Sequence, residues 1–255
     1  GLIPPVLVTD DLTRKHYSHA IGRLQVRLQR RALATSLTER VELAWDDGMQ
    51  AELIATNVAG LFAEVGEQRS SWTELDSVDG VRIATREKGP LVCRRFCGKF
   101  RASIKTALAL ALDMGRRSEW NVLYQDGHVI RTLTPQDDVV TMTLDSPNAN
   151  FSRRFCLLRS WREMETGEAL IANRSVHYPE ISEDSENLAL IHSSGFVMKA
   201  LSPHETAVTY ILQLMPGGLV MVVGDMARVL LACMTRFCAL AEQCEADLEQ
   251  RHPSC

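Results

Sequence analysis

The chain has 255 residues, 45% of them hydrophobic and 24% charged, with a formal net charge of −4. That suits one globular domain with an additional segment, and it leaves no overall basic field to draw in nucleic acid. The longest apolar runs, such as "GGLVMVVG" (217–224), fall far short of the ~20 residues of a bilayer-spanning helix, and no basic start with a long apolar core marks a secretory signal.

The chain starts at Gly1 rather than at a methionine, so the expectation is a piece cut from something longer. Residues 11–44 read as a helix, with Ile21, Leu24, Leu28 and Val41 among basic and polar residues. Between Arg14 and Arg31 there are six Lys/Arg and no acid. Such a segment can lie on an anionic membrane or meet a protein partner; the alternative is a solvated helix packing on the domain. "WDDG" (45–48) reads as a boundary, which divides the chain into an extension (1–47), a domain (48–248) and a tail (249–255).

A second helix is predicted over 49–68, with Leu53, Ile54, Val58, Leu61, Phe62 and Val65 on its apolar side. Then the period changes. "VRIATRE" (81–87) and "LVCRRFCGKF" (91–100), joined by "KGP", read as a hairpin. A helix follows over 102–115, with Ser103 as N-cap and Gly115 beyond its end.

Strands dominate afterwards. They are predicted at 127–133, 138–144, 153–163, 168–178, 188–201 and 205–215, joined by turn-forming links such as "TPQD", "METG" and "SPH". Short links argue for an antiparallel meander, because parallel pairs need long crossovers. One link, "PEISEDSEN" (179–187), is acidic and longer than a hairpin requires.

The last element is a long helix over 221–248. Met226, Leu230, Cys233, Phe237, Leu240, Cys244 and Leu248 recur at three- and four-residue spacing. Nothing later in the chain covers that stripe, so it must pack on the sheet. A curved sheet closed by such a helix leaves an interior between the two. In "RRFCLLRSWRE" (153–163) side chains alternate, so Phe155, Leu157, Arg159 and Trp161 share the face that lines it. A guanidinium in line with three large apolar residues then has a place: an interior where one fixed charge is useful.

Seven cysteines are present, none in a CxxC pattern. On a strand Cys93 and Cys97 would lie ~13 Å apart, too far for a shared metal or a disulfide. Reduced, buried cysteines of a cytosolic protein are expected.

The order of elements resembles the StAR-related lipid transfer (START) domain family, whose fold is the helix grip. "WTELDSVDGVRI" (72–83) resembles the family's opening tryptophan and following strand, and "RRSEWNVLY" (116–124) its "R-x-x-W-D". "SRRFCLLRSWR" (152–162) resembles the "R-D-F-V" strand, "ANRSVHYPE" (172–180) the strand before the first omega loop, and "TYILQLMPGGL" (209–219) the strand running into a glycine pair. The resemblance covers about residues 48–248. It implies an α+β fold: a curved, nine-stranded antiparallel sheet around an apolar tunnel, closed by the C-terminal helix as a lid. It also implies a function without chemistry or cofactor: one sterol, phospholipid or other single lipid is held inside and exchanged at a membrane surface by movement of the lid. The setting would be cytoplasmic, at most peripheral on membranes.

Arg159 matches the family's interior arginine, which faces the ligand's polar end. A lipid head in a dry cavity needs a polar partner, and a guanidinium fits phosphate or carboxylate as a bidentate fork. The alternative is an arginine paired with an interior carboxylate and purely structural. Four departures from the family stand out. Arg154 occupies the place of the aspartate in "R-D-F-V". The preceding strand offers Thr143 where the sterol-binding branch has a glutamate, which would leave Arg159 unpaired and favour an anionic head. Ala189 stands near a second interior arginine, so that charge is expected to be missing. Met221 replaces a proline after the glycine pair.

Met198, Tyr210, Met215, Met226 and Leu230 are candidate tunnel residues, and Trp161 a candidate wall of the head-group site, although each also suits plain core. Gly217, Gly218, Leu219, Val220 and Met221 form a candidate hinge and membrane contact; ordinary packing of the lid's first turn is the other reading.

Two rival classes remain. An enzyme would need a nucleophile or phosphate motif, and GxSxG, HExxH and a glycine-rich phosphate loop are all missing. His177 and His192 are placed on strands and Cys156 opposite to Arg159, with nothing to bring a Cys–His pair together. A START-like docking module that has lost its ligand and works through residues 11–44 is the second rival. The size of the interior discriminates.

Overall fold

The computed structural model describes residues 47–66, 71–88, 91–145, 152–176, 178, 190–215 and 223–251. The predicted basic helix at 11–44, the acidic link 179–187 and the hinge at 217–221 lie outside them.

Helix α1 (Asp47–Val65) begins inside the "WDDG" expected to separate elements. Strands β1 (Thr73–Val78), β2 (Val81–Lys88) and β3 (Leu91–Phe100) follow, then α2 (Ile104–Leu112) and a short α3 (Arg117–Trp120). Next come β4 (Tyr124–Thr134), β5 (Asp137–Asp145), β6 (Ser152–Met164), β7 (Glu168–Ser175), β8 (Leu190–Ile191), β9 (Ser194–Ser202) and β10 (Glu205–Met215). Helix α4 (Val223–Arg251) is the final element, extending beyond the expected end at 248.

The sheet is antiparallel throughout, in the order β1-β2-β3-β10-β9-β7-β6-β5-β4, with β8 paired to β10 off this path. Nine strands curve in front of the C-terminal helix. Asp79 and Gly80 turn the β1–β2 hairpin with φ of 48° and 79°, the positive values that a tight turn of this hand requires. Ser103 caps α2 as expected, accepting from the Thr106 amide. That helix stops at Leu112, short of Gly115, and its successor α3 was not anticipated.

The run 188–201, expected as one strand, is two. β10 pairs Ile211 with Gly195 and Leu214 with Ile191, so three steps along β10 face four along its partner. The extra residue is a bulge. Its loose ends are tied at Gln213, whose amide donates to Ser194 Oγ (2.8 Å) and whose carbonyl accepts from the His192 amide (2.9 Å). At Gly195 a Cβ would fall 1.8 Å from the Ile171 carbonyl oxygen, so only glycine lets β9 and β7 approach there.

The concave face carries the larger core. Register places Ile83, Phe96, Tyr210, Phe196, Ile171 and Trp161 in one row across six strands. Onto this side α4 lays Leu231, Met234, Phe237, Cys238 and Ala241. Phe237 meets the Phe196 ring at 5.2 Å and the Trp120 ring at 5.3 Å, with Trp120 edge-on. The stripe that lacked a partner in the sequence is buried here.

The convex face is covered by α1. Leu61 packs with Trp72, Ala84, Cys93, Leu170, Ala172 and Ile211. Polar residues of α1 are buried here as well: Asn57 donates to the Leu158 and Ala172 carbonyls at 3.2 and 3.0 Å, and Glu64 pairs with Arg86 and Lys88. Phe62, expected on the apolar side, is 36% exposed.

Candidate functional site

Arg159 is on the concave face and buried, as alternation requires. Its partner is not the one expected. Antiparallel register sets Asp138, not Thr143, opposite Arg159, while Thr143 faces Arg154. Nε and Nη2 of Arg159 donate to the two Asp138 carboxylate oxygens at 2.9 and 2.6 Å, and Nη1 donates to the Leu112 carbonyl at 2.8 Å. The guanidinium is therefore neutralised, and it closes the C-terminal end of α2, where free carbonyls favour a cation. The expectation of an unpaired Arg159 is corrected; the carboxylate-paired alternative is what the fold contains.

The second interior charge, expected to be missing, comes from another element. In "RRSEW" the two arginines part company. Arg116 reaches Glu119 at 2.9 and 2.7 Å near the surface. Arg117 turns inward, its guanidinium 5.0 Å from the centroid of the Trp120 ring and its Nε buried without a hydrogen-bond partner. Burial pushes its pKa down and Arg159 adds to this, but a guanidinium starts so high that it stays charged. Among the described residues no carboxylate pairs with it.

Around Arg117 lie Tyr210 and Tyr124. Burial raises both phenols, and the Arg117 charge opposes the rise in each. The Tyr124 hydroxyl donates to the Gly127 carbonyl at 3.2 Å. The Tyr210 hydroxyl has no hydrogen-bond partner among the described residues. Tyr210 lies mid-strand between β3 and β9, its ring 5.9 Å from Phe96 and 4.6 Å from Phe196, yet it remains half-exposed. Tyr210 shares the concave face with Phe96 and Phe196. That face thus carries a charged and a neutral donor, Arg117 and Tyr210, close enough for the charge of one to act on the other.

The other candidates divide. Met198 is wholly buried in the core, packed as filler. Trp161 and Leu230 are half-buried against the same cluster. Met215 ends β10 and Met226 falls in α4, but their side chains lie outside the described residues, as do Gly217, Gly218, Leu219, Val220 and Met221. Of the residues singled out by sequence, Tyr210 shares the site with Arg117, which was missed. Its signal was present: the arginine beside Trp120 has Asn121 at the position where "R-x-x-W-D" has its acid.

Cys156 and Cys238 are pushed by burial to about 12, which makes them poor nucleophiles. Cys156 packs on the convex side, away from Arg159, as expected. His204, Glu245 and Glu249 bring donor atoms within 4.8 Å of one another and could in principle hold a metal. They are mostly exposed, and Glu245 is engaged by the Ser103 and Thr106 hydroxyls.

The START domain family profile matches residues 53–223, more than half of the chain, and the chain belongs to that family. Among solved structures it is similar to human StAR-related lipid transfer protein 5, at 18% identity and a TM-score of 0.69, covering 80% of this chain and 100% of that one. Human STARD10 is similar at 21% identity and 0.66, covering 84% and 86%. The human StarD13 lipid transfer and protein localization domain is similar at 20% and 0.59, covering 71% and 94%. No curated protein is significantly similar to the chain in sequence. Among the described residues no helix is long and apolar enough to cross a membrane.

Proposed function

We propose that this domain is a carrier for a single lipid, held between the concave face and α4, and that it acts on the cytoplasmic side of membranes without catalysing a reaction. The observation that carries the reading is Tyr210 and Arg117: two half-buried polar side chains on the inner side that, among the described residues, have no hydrogen-bond or ion-pair partner. A stable core leaves few such groups unsatisfied, because each costs on the order of 1–3 kcal/mol. A ligand head group removes that cost, and apolar burial of its tail contributes roughly 25 cal/mol for each Å². Trp161 and Leu230 flank the tail's path in this reading, with Met215 and Met226 as further lining.

Entry requires the sheet and the start of α4 to part. Gly217 and Gly218 would supply the hinge, and Leu219, Val220 and Met221 would touch the bilayer while it is open. The membership of the chain in the START family and its likeness in fold to proteins named for lipid transfer support the same reading.

Native mass spectrometry of protein purified from cells, followed by lipid extraction, tests it. One lipid bound at one-to-one stoichiometry is expected. Protein that is empty after purification and stays empty after incubation with vesicles would refute the carrier and favour a docking module.

A further inference from the structure

Away from the concave interior, we infer that His204, Glu245 and Glu249 bind one zinc ion, which staples the C-terminal end of α4 to the turn between β9 and β10. The three residues are separate from the candidate lipid site, so this site stands whether or not the interior holds a lipid.

Two elements bring the ligands together. Glu245 and Glu249 are four residues apart on α4 and share one face of the helix. His204 lies in the link between β9 and β10, its amide donating to Ser202 Oγ at 3.3 Å. One imidazole atom faces both acids: His204 Nδ1 is 3.8 Å from Glu245 Oε1 and 3.5 Å from Glu249 Oε1. One donor atom from each residue lies within 4.8 Å of the other two. Both separations from Nδ1 are too long for a good hydrogen bond. They are close to the ~3.3 Å edge of a tetrahedron whose bonds to zinc are about 2.0–2.1 Å. The exposed side chains of His204 and Glu249 can close the remaining gap.

Glu245 is held in place from outside the cluster. Its side chain is 12% exposed, and its second oxygen, Oε2, accepts from the Ser103 hydroxyl at 3.0 Å and from the Thr106 hydroxyl. Those bonds leave Oε1 to His204 and tie the ligand to the cap of α2, the outer support that metal-binding carboxylates carry. Burial opposes ionisation of Glu245, but the Thr106 and Ser103 hydrogen bonds outweigh it and hold its pKa below the ordinary value. The carboxylate is therefore ready to bind a cation.

Positive charge is short here. Two acids at this helical spacing repel, and Glu249 stands in the last turn of α4, where free carbonyls disfavour an acid. Among the described residues, the group paired with either carboxylate is His204 alone. A divalent ion removes both penalties. The donor set chooses which ion: imidazole with carboxylates suits zinc, whereas magnesium and calcium take oxygen ligands. Zinc on Nδ1 requires the neutral imidazole with its proton on Nε2. Water completes the coordination from the exposed side.

In the test, the 255-residue chain is stripped with chelator, its thiols are kept reduced, and zinc chloride is titrated in by calorimetry, with magnesium chloride in parallel. One zinc site is expected, and magnesium should give no heat. His204→Ala and Glu249→Gln should each weaken that site at least about tenfold. Their side chains are 70% and 63% exposed, so both variants keep the fold. In zinc-loaded wild type, amide hydrogen exchange should slow at 203–205 and 242–251, and neither variant should show this. Wild type that binds no zinc overturns the site. So does zinc affinity that survives either substitution unchanged, with the ion on cysteines instead. Magnesium binding as tightly as zinc overturns the choice of ion, and zinc uptake without slower exchange in those segments overturns the staple. Lipid content enters none of these readouts, so their failure leaves the carrier reading untouched.

Discussion

On the convex face, Asn57 bonds two strand carbonyls, Glu64 holds Arg86 and Lys88, and the Trp72 ring lies between the Arg86 and Arg95 guanidinium groups at 4.7 Å from each. On the concave face, Arg159 is matched by Asp138, but among the described residues Arg117 has no acid and the Tyr210 hydroxyl no hydrogen-bond partner. Both faces bury charge and hydrogen-bonding groups beside an apolar core. Single unpartnered atoms occur on both, Asn57 Oδ1 and Trp72 Nε1 on the convex side and Arg117 Nε on the other. Charge balance separates them: Glu64 answers Arg86 and Lys88, whereas among the described residues no carboxylate pairs with Arg117. A cation matched by an acid fixes one packing, and an unmatched one marks the place where something else completes the set.

If that contrast holds, breaking a matched pair and removing an unmatched donor should differ in sign. The largest effect is expected at Glu64→Leu, which leaves Arg86 buried without its carboxylate and should cost about 3 kcal/mol in urea denaturation. Lipid content per folded molecule should not change. Asp138→Leu should cost about 2 kcal/mol by the same measurement, because Arg159 loses its neutralising partner. A loss of lipid uptake with stability intact would instead return Arg159 to the ligand site.

A smaller effect follows from pH. Burial lowers the His192 pKa, and nearby Arg174 and Lys88 lower it further. The folded state then binds fewer protons than the unfolded chain, so stability should fall as pH drops below the ordinary histidine value of about 6.5 and level off below the folded pKa. The slope cannot exceed about 1.4 kcal/mol per pH unit for one proton. His192→Gln should flatten this part of a plot of Tm against pH.

Arg117→Met reverses the sign. Removing an uncompensated charge should leave the lipid-free protein as stable as before, or more stable by up to about 1 kcal/mol, while lipid uptake falls. Destabilisation comparable to that of Asp138→Leu would show that Arg117 is structural and erase the contrast. The smallest change is expected at Tyr210→Phe, within about 0.5 kcal/mol of wild type without lipid. A loss of lipid affinity of about 1 kcal/mol should accompany it, from one hydrogen bond to the head.

Periodicity made parts of this architecture legible. The stripe of α4, the alternation of Phe155, Leu157, Arg159 and Trp161, and the Ser103 cap are patterns within one element, where spacing alone decides facing. Facts that depend on two elements were not legible. Asp138 is the second residue of its strand, and nothing local says that β5 and β6 meet in the register that puts it across from Arg159. The bulge at 192–194 exists because β10 needs its partner one residue longer, which a single run of alternating residues does not reveal. Asn57 and Glu64 read as the polar side of a helix until the sheet beneath supplies carbonyls and cations for them.

The amino-acid order by itself determined most of the helix and strand segments, that the meander is antiparallel, that the final helix must cover the sheet, and that Arg159 points inward, since each follows from near-neighbour spacing and from burying apolar surface. Only the tertiary structure decided which interior charge is cancelled and which is free. A charge is compensated by whatever the fold brings within a few ångströms: for Arg159 that is a carboxylate twenty-one residues away, and for Arg117 no carboxylate among the described residues.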